Sequence, residues 1–332
     1  GGKEMDKQWI VSSSPHIRTK EDTSYIMKQV ILALMPATLA GLYYFRVQGL
    51  ITILACVIGA VCSEWVYCKI TKKKSTINDF SAVVTGLLLA FNVPAGLPIW
   101  MCVVGAIFSI IIVKMVFGGI GFNFLNPALA GRAFLLASFP VAMTTWLKPG
   151  ANADATTVAT PLSYMKLMGA EGMGSSADAV SKLHDAGISI GSMFMGNIGG
   201  TVGETCSLLL IIGGVYLIYK GIISYVMPVT YICLVFVLTF IFGGFNAEFA
   251  VYQALAGGLL LGGFFMLTDY TTSPMTKKGQ IIYAAIAAVI ATCIRLFGGY
   301  PEGVSYSILF ANCLVPLIDK YVHNRVFGEV RK

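Results

Sequence analysis

A chain of 332 residues in which 56% are hydrophobic and only 12% charged excludes an ordinary soluble domain, where about a quarter of residues carry charge. Its net charge of +7 is not the footprint of a nucleic-acid binder, because the basic residues flank apolar runs as the positive-inside bias produces. Those runs approach the ~20 residues that cross a hydrocarbon core. The composition therefore points to an all-α polytopic membrane protein whose surroundings are membrane lipid.

Residues 1–24 form a polar cytoplasmic arm that includes Ser12-Ser13-Ser14-Pro15-His16-Ile17-Arg18. Gly1 to Glu4 precede Met5 and read as an addition to the natural chain, and no cleavable signal peptide is expected. Helices are expected at about 25–44 and 50–67, the second holding Glu64 and followed by Lys69 and Lys72-Lys73-Lys74. The next run, 80–91, is too short to span and stops at Asn92-Val93-Pro94. A full-length run at 98–117 leads into Gly118-Gly119-Ile120-Gly121-Phe122-Asn123-Phe124-Leu125-Asn126-Pro127-Ala128, and a fifth run reaches about Trp146. The first half is thus 25–146. Residues 147–204 are the longest polar segment. The second half, 205–318, has apolar runs at about 205–219, 225–242, 251–268, 281–297 and 304–318, and 319–332 is a polar cytoplasmic tail.

With both termini placed in the cytoplasm, 18 of the 23 basic residues fall on inside loops and helix ends. The outside then holds Arg46, Lys148, Lys166, Lys182 and Arg295. This asymmetry orients the chain with both termini inside and places residues 147–204 outside the cell membrane. A weak internal repeat is also visible. Phe91-Asn92, a helix and Asn126-Pro127 are echoed by Phe245-Asn246, a helix and Ser273-Pro274. The expected architecture is about ten transmembrane helices in two five-helix repeats with broken or short helices. Matched breaks in two halves point to a central binding site; a small-solute channel or transporter would suit the same arrangement.

Metal chemistry has little support. None of the eight cysteines forms a Cys-x-x-Cys pair, nearly all lie in apolar runs, and His16, His184 and His323 are far apart. No zinc or iron–sulfur site built by this chain alone is expected. The polar segment holds Asp154-Ala155-Thr156-Thr157-Val158-Ala159-Thr160-Pro161-Leu162. A threonine hydroxyl is a poor nucleophile, so a modified threonine needs an external enzyme. Ala159 leaves the Thr160 hydroxyl open, and Pro161 biases Thr160 toward extended backbone. By residue type alone the stretch is a loop.

Asp154, Thr157, Ala159 and Thr160 resemble the motif flavinylated by ApbE-type flavin transferases, with Ala155 and Val158 where that pattern often has glycine. The resemblance implies FMN joined through its phosphate to Thr160, with Thr157 the first alternative. Gly118 to Phe134, Gly196-Asn197-x-Gly-Gly-x-x-Gly203-Glu204-Thr205 and Thr268-Asp269-x-x-Thr272-Ser273-Pro274 resemble signatures of the RnfD/NqrB family over essentially the whole chain from Ser12. That family supplies membrane subunits of ion-translocating electron-transfer complexes. A short N-terminal arm favours the ferredoxin:NAD+ branch over the NqrB-like subunit of the Na+-translocating NADH:quinone reductase. The resemblance implies a subunit that is inactive alone, partner Rnf-type subunits, and a further non-covalent riboflavin. No NAD or ferredoxin fingerprint is present, so those sites belong to partners.

Irregular backbone at membrane depth survives where it lines a cavity or is buried in protein. Asn123, Asn126, Arg132, Asn197, Gly199, Gly200, Glu204, Thr205, Thr272 and Ser273 are therefore candidate flavin-binding residues. Glu204-Thr205 opens an apolar helix whose N-terminus suits a phosphate, or simply caps it. Charges within the membrane are functional candidates by default. Glu64 and Asp269 are the candidate ion-path residues, Glu64 alternatively snorkelling near Lys69, and Arg132 and Asp269 are expected to partner each other.

Overall fold

The computed structural model describes residues 22–150, 158–166, 168–169, 172–204, 206–300 and 302–322. Asp154, Thr157, Thr205 and both terminal tails beyond these bounds lie outside the described residues. The fold is helical apart from a two-residue antiparallel pair, β1 (Met168–Gly169) and β2 (Gly172–Met173), in register Met168 to Met173.

Helix α1 (Thr23–Ile70) is capped by Asp22, whose carboxylate accepts from Thr23 N at 2.7 Å. It reverses at Arg46, where φ 47° and ψ −126° break the helix into two arms. The hydropathy pattern leaves a loop of several residues at this point; one residue makes the turn. A 3₁₀ turn (Ile77–Asp79) leads to α2 (Ser81–Phe91), which is buried at ten of its eleven residues. A helix apolar on all sides belongs in an interior. Then come α3 (Ile99–Ile107), continued by a π-helical stretch (Phe108–Met115), α4 (Pro127–Ser138) and α5 (Pro140–Met143). Short helices α6 (Pro161–Tyr164), α7 (Ser176–Asp185) and α8 (Ile190–Met195) decorate the polar segment.

The second part comprises α9 (Ser207–Tyr219), α10 (Val226–Phe242), α11 (Ala247–Leu255), α12 (Leu259–Leu261) with a π-helical continuation (Gly262–Met266), α13 (Lys277–Phe297) and α14 (Val304–Tyr321). The run read as one helix over 251–268 is two, bent by 64°. Gly257, at φ +65°, makes that bend, because only glycine enters the left-handed region freely. Among the described residues, α1 and α13 are individually long and apolar enough to cross a membrane. Outward faces stay apolar, with Leu39 60% and Ile212 50% exposed, as lipid-facing surfaces require.

Hydrogen bonds sort the two ends of the bundle. Ser24 Oγ donates to Asn78 O, placing the start of α2 beside the start of α1. Gly150 N donates to Tyr44 O at 2.8 Å and Tyr44 Oη to Met195 O at 2.8 Å, placing the polar segment beside the Arg46 turn. His184 lies 2.9 Å from Glu248, so α11 starts at this same Arg46 end. Helices α2 and α11 thus enter from opposite ends, and both stop inside. The repeat markers do not occupy equivalent places: Asn92 closes α2 at its C-terminus, whereas Asn246 caps the N-terminus of α11.

Candidate functional site

Three interruptions meet in one buried junction. The α2 break at Asn92–Pro94, the irregular residues 197–204 and the α11–α12 bend lie together. Gly203 N donates to Phe91 O at 3.0 Å, and Pro94 and Thr201 form an isolated β-bridge. A Cβ on Gly203 would stand 2.5 Å from Phe91 Cβ, so the approach needs glycine. Arg132, in α4, holds the junction. Its guanidinium donates to Ser305 Oγ at 2.7 Å, to Asn92 Oδ1 at 3.4 Å and to the Glu302 carboxylate. Glu302 Oε1 in turn accepts from Gly258 N at 3.0 Å. Arg295, 1% exposed, donates to Gln253 O at 2.7 Å and Ala256 O at 3.0 Å, satisfying carbonyls freed by the bend. A Cβ on Gly258 would stand 2.7 Å from Glu302 Oε1 and 3.7 Å from Glu204 Oε1. Two carboxylates therefore face the same small space.

The Thr160 segment packs on this junction. Thr160 is extended, at φ −75° and ψ 155°, and its carbonyl accepts from Ser163 N and Ser163 Oγ. It is 7% exposed. Val158 N donates to Trp146 O, and a Cβ on Gly199 would stand 2.5 Å from Val158 Cγ2. Leu162 similarly fills the space over Gly257. Gly199 is thus a spacer that lets Val158 and Ala159 close over the junction, whereas Gly200 faces Glu204. Asn197 lies apart, in a hollow of about 610 Å³ shared with Tyr43, Tyr44, Arg46, Pro149 and Gly150. Helix α9 begins after Cys206, which makes no side-chain cap. Glu204 shares the space beside Gly258 with the Glu302 carboxylate.

A second cavity, about 400 Å³, opens at the other end. Asn123, Asn126, Lys114, Thr268, Phe264 and Asp269 are among its walls. Asn126 caps α4 by accepting from Ala128 N and Leu129 N, while its amide reaches Met266 O at 3.3 Å. Asn123 Nδ2 donates to Leu125 O at 3.0 Å and Thr271 Oγ1 at 2.9 Å. Asp269 accepts from the hydroxyls of Thr271 and Thr272. Thr272 is buried and Ser273 half-buried beside this turn.

The chain matches the NQR2, RnfD, RnfE family over residues 10–328. It belongs to that family. It is 46% identical over 321 residues to the D subunit of the Na+-translocating ferredoxin:NAD+ oxidoreductase complex of Acetobacterium woodii, covering 97% of this chain and 96% of that protein. It is also 46% identical to the D subunit of the proton-translocating ferredoxin:NAD+ oxidoreductase complex of Clostridium ljungdahlii, covering 97% of each chain. The D subunit of an ion-translocating oxidoreductase complex of Escherichia coli O1:K1 is 35% identical over 346 residues, covering 96% of this chain and 98% of that protein. Within the family the chain is thus similar to the D subunits of ion-translocating oxidoreductase complexes.

Several expectations need correcting in this family member. Arg132 and Asp269 are not partners: Arg132 pairs with Glu302, whereas Asp269 binds its own turn. Glu64 is not a snorkelling helix-end residue. It is 0% exposed and pairs with Lys114 Nζ at 2.7 Å, while Lys69 lies over the Trp65 ring. Arg295, counted as an outer loop residue, is buried in α13. Setting Arg295, Lys114 and Arg132 aside as interior leaves the charge asymmetry in place. Glu302, Arg295 and Lys114 escaped the sequence reading, although intramembrane charge was the signal that could have found the last two.

Proposed function

We propose that the chain is the flavin-carrying membrane subunit of an ion-translocating ferredoxin:NAD+ oxidoreductase. It works only with Rnf-type partner subunits that hold the ferredoxin and NAD+ sites. The observation that carries this reading is the near full-length 46% identity to two D subunits, taken with the extended Thr160 in a flavinylation-type motif. The chain makes ten membrane segments in two halves of five. Both termini are cytoplasmic, and the Arg46 end, with Thr160, is extracytoplasmic.

FMN is attached through its phosphate to Thr160 by an ApbE-type transferase. The group supplies one-electron carriage; the protein positions it and sets its surroundings. The local fit has two parts. Pro161 holds Thr160 in the extended form that an enzyme can grip, and Gly199 leaves backbone rather than a side chain against the segment. The separate hollow at the Arg46 turn offers Tyr43 and Tyr44 as aromatic surface with Arg46 among its walls. Because Thr160 is enclosed, flavin transfer precedes closure of residues 158–166 over residues 196–204.

The inner cavity suits a non-covalent riboflavin. Its volume is within the ~300–1,000 Å³ usual for small-molecule sites, and its walls combine Phe264 and Phe265 with the amides of Asn123 and Asn126. These amides would hold the polar edge of the ring system. Glu64 and Asp269, at the cytoplasmic end, lie on the ion path. Thr160→Ala in the assembled complex should remove the flavin fluorescence that stays with this polypeptide on a denaturing gel; fluorescence that persists would refute the attachment. Ferredoxin-dependent NAD+ reduction, rather than quinone reduction, by the purified complex is the companion test.

A further inference from the structure

We propose that Lys114 is a tethered counter-cation that holds the transported ion's place at Glu64 and yields it by turning toward the inner cavity. The inference rests on the proposed ion-path role of Glu64 and deepens it. Four positions form a line from the surface inward. Thr76 is exposed, and its hydroxyl donates to Glu64 Oε1. Glu64 lies behind it with no exposure. Lys114 Nζ donates to Glu64 Oε2 at 2.7 Å, so both carboxylate oxygens are engaged. Lys114 itself lines the cavity, together with Ser81, whereas Glu64 does not. An ion entering past Thr76 therefore meets a carboxylate already neutralised from the far side.

Lys114 has somewhere to go. Nζ also donates to Ser81 Oγ at 2.6 Å, and the Ser81 hydroxyl donates to Asp79 Oδ1. Among the described residues, the titratable groups around Glu64 are Lys114, Asp79 in the 3₁₀ turn before α2, and Cys68, whose Sγ lies 3.9 Å from Thr76 Oγ1. The Lys114 ammonium is shared between the Glu64 carboxylate and the Ser81 hydroxyl, and that hydroxyl is held in turn by Asp79. When Lys114 leans to Ser81 and the cavity, Glu64 is free to bind a monovalent cation, Na+ or H+. No covalent bond is broken: the Lys114–Glu64 ion pair is exchanged for the bound cation, so the Glu64 charge stays compensated, as burial demands. Lys114 sits in the π-helical stretch of its helix, where Val116 N reaches back to Ile111 O. The facing wall carries Phe264 and Phe265, in the other π-helical stretch. Such segments are irregular points of a helix and recur at functional sites. An electronegative or anionic group in the cavity draws Lys114 inward and so favours ion entry, which links the cavity's occupant to the ion site as a population shift.

The test uses the whole complex with wild-type, Lys114→Met, Lys114→Arg and Glu64→Gln subunits. NaCl is titrated against choline chloride at constant ionic strength, and protons are titrated separately in sodium-free buffer. The readouts are the half-saturating cation concentration for transport in proteoliposomes and the melting temperature. Lys114→Met removes the competitor, so half-saturation should fall at least tenfold. Its melting temperature should rise by several degrees with the coupled cation, because binding stabilises the folded state. Lys114→Arg grips a carboxylate through a rigid fork, so half-saturation should rise at least tenfold. A merely structural lysine predicts impairment in the same direction for both. If Glu64→Gln abolishes the cation response while both Lys114 variants keep wild-type half-saturation in both titrations, the lysine inference falls alone. If Glu64→Gln leaves the response unchanged, the ion-path reading falls with it. The cation that moves the response, Na+ or H+, identifies the ion.

Discussion

Removing Arg132 should damage the fold more than removing the carboxylate it pairs with. Arg132 is 5% exposed and Glu204 8%, and both sit with Glu302 at the helix interruptions. In Arg132→Met, Glu204 and Glu302 face each other with Arg295 the one remaining cation near them among the described residues, and Arg295 is committed to Gln253 O and Ala256 O. Leaving a buried ion-pair partner uncompensated costs about 3–5 kcal/mol. In Glu302→Gln, Arg132 keeps Ser305 and Asn92, and Glu204 takes over part of the charge balance. The loss is then that of one charge-assisted hydrogen bond, about 1.5–3 kcal/mol. Adding Glu204→Gln to Arg132→Met should recover about 1 kcal/mol, a coupling of the size found between residues in contact. Equilibrium unfolding of the detergent-solubilised chain measures all three. A smaller loss in Arg132→Met than in Glu302→Gln, or a further loss on adding Glu204→Gln to Arg132→Met, would refute this charge balance.

Two further changes test the junction and the cavity. Gly203→Ala would set a Cβ 2.8 Å from Phe91 O as well as against its Cβ. Both neighbours are main-chain or fixed, so residues 197–204 should detach from α2, read as faster proteolysis of the 147–204 segment. Asn126→Ala removes a helix cap worth about 1 kcal/mol together with its bond to Met266 O. It should lower stability by roughly 1–3 kcal/mol, and under the riboflavin proposal it should reduce the flavin released from the denatured complex while leaving the covalent flavin intact.

The sequence reading and the structure part company where contacts are long-range. Pro161 acts on its immediate neighbour, so the extended form of Thr160 was readable. The stop after Phe91 was readable too, because Asn92 and Pro94 act locally. The bend at Ala256–Gly258 is hidden from hydropathy, which runs unbroken through 251–268, although the Gly257-Gly258 pair stands at the spot. Partners of buried charges were not readable at all. Glu64 lies five residues from Lys69 yet pairs with Lys114, 50 positions away, and Arg132 finds Glu302 at a separation of 170. Helix periodicity says which face a charge is on but not which distant helix meets it. Asp154, Thr157 and Thr205 fall outside the described residues, so their geometry adds nothing to the motif.

The most direct measurement is the intact mass of this chain purified from cells that contain the flavin transferase, followed by mapping of the modified peptide. The account predicts the mass of the chain plus one FMN less one water, with the adduct on the peptide containing Thr160 and absent from Thr160→Ala. An unmodified mass, or an adduct that maps to Thr157 or outside this segment, would contradict it.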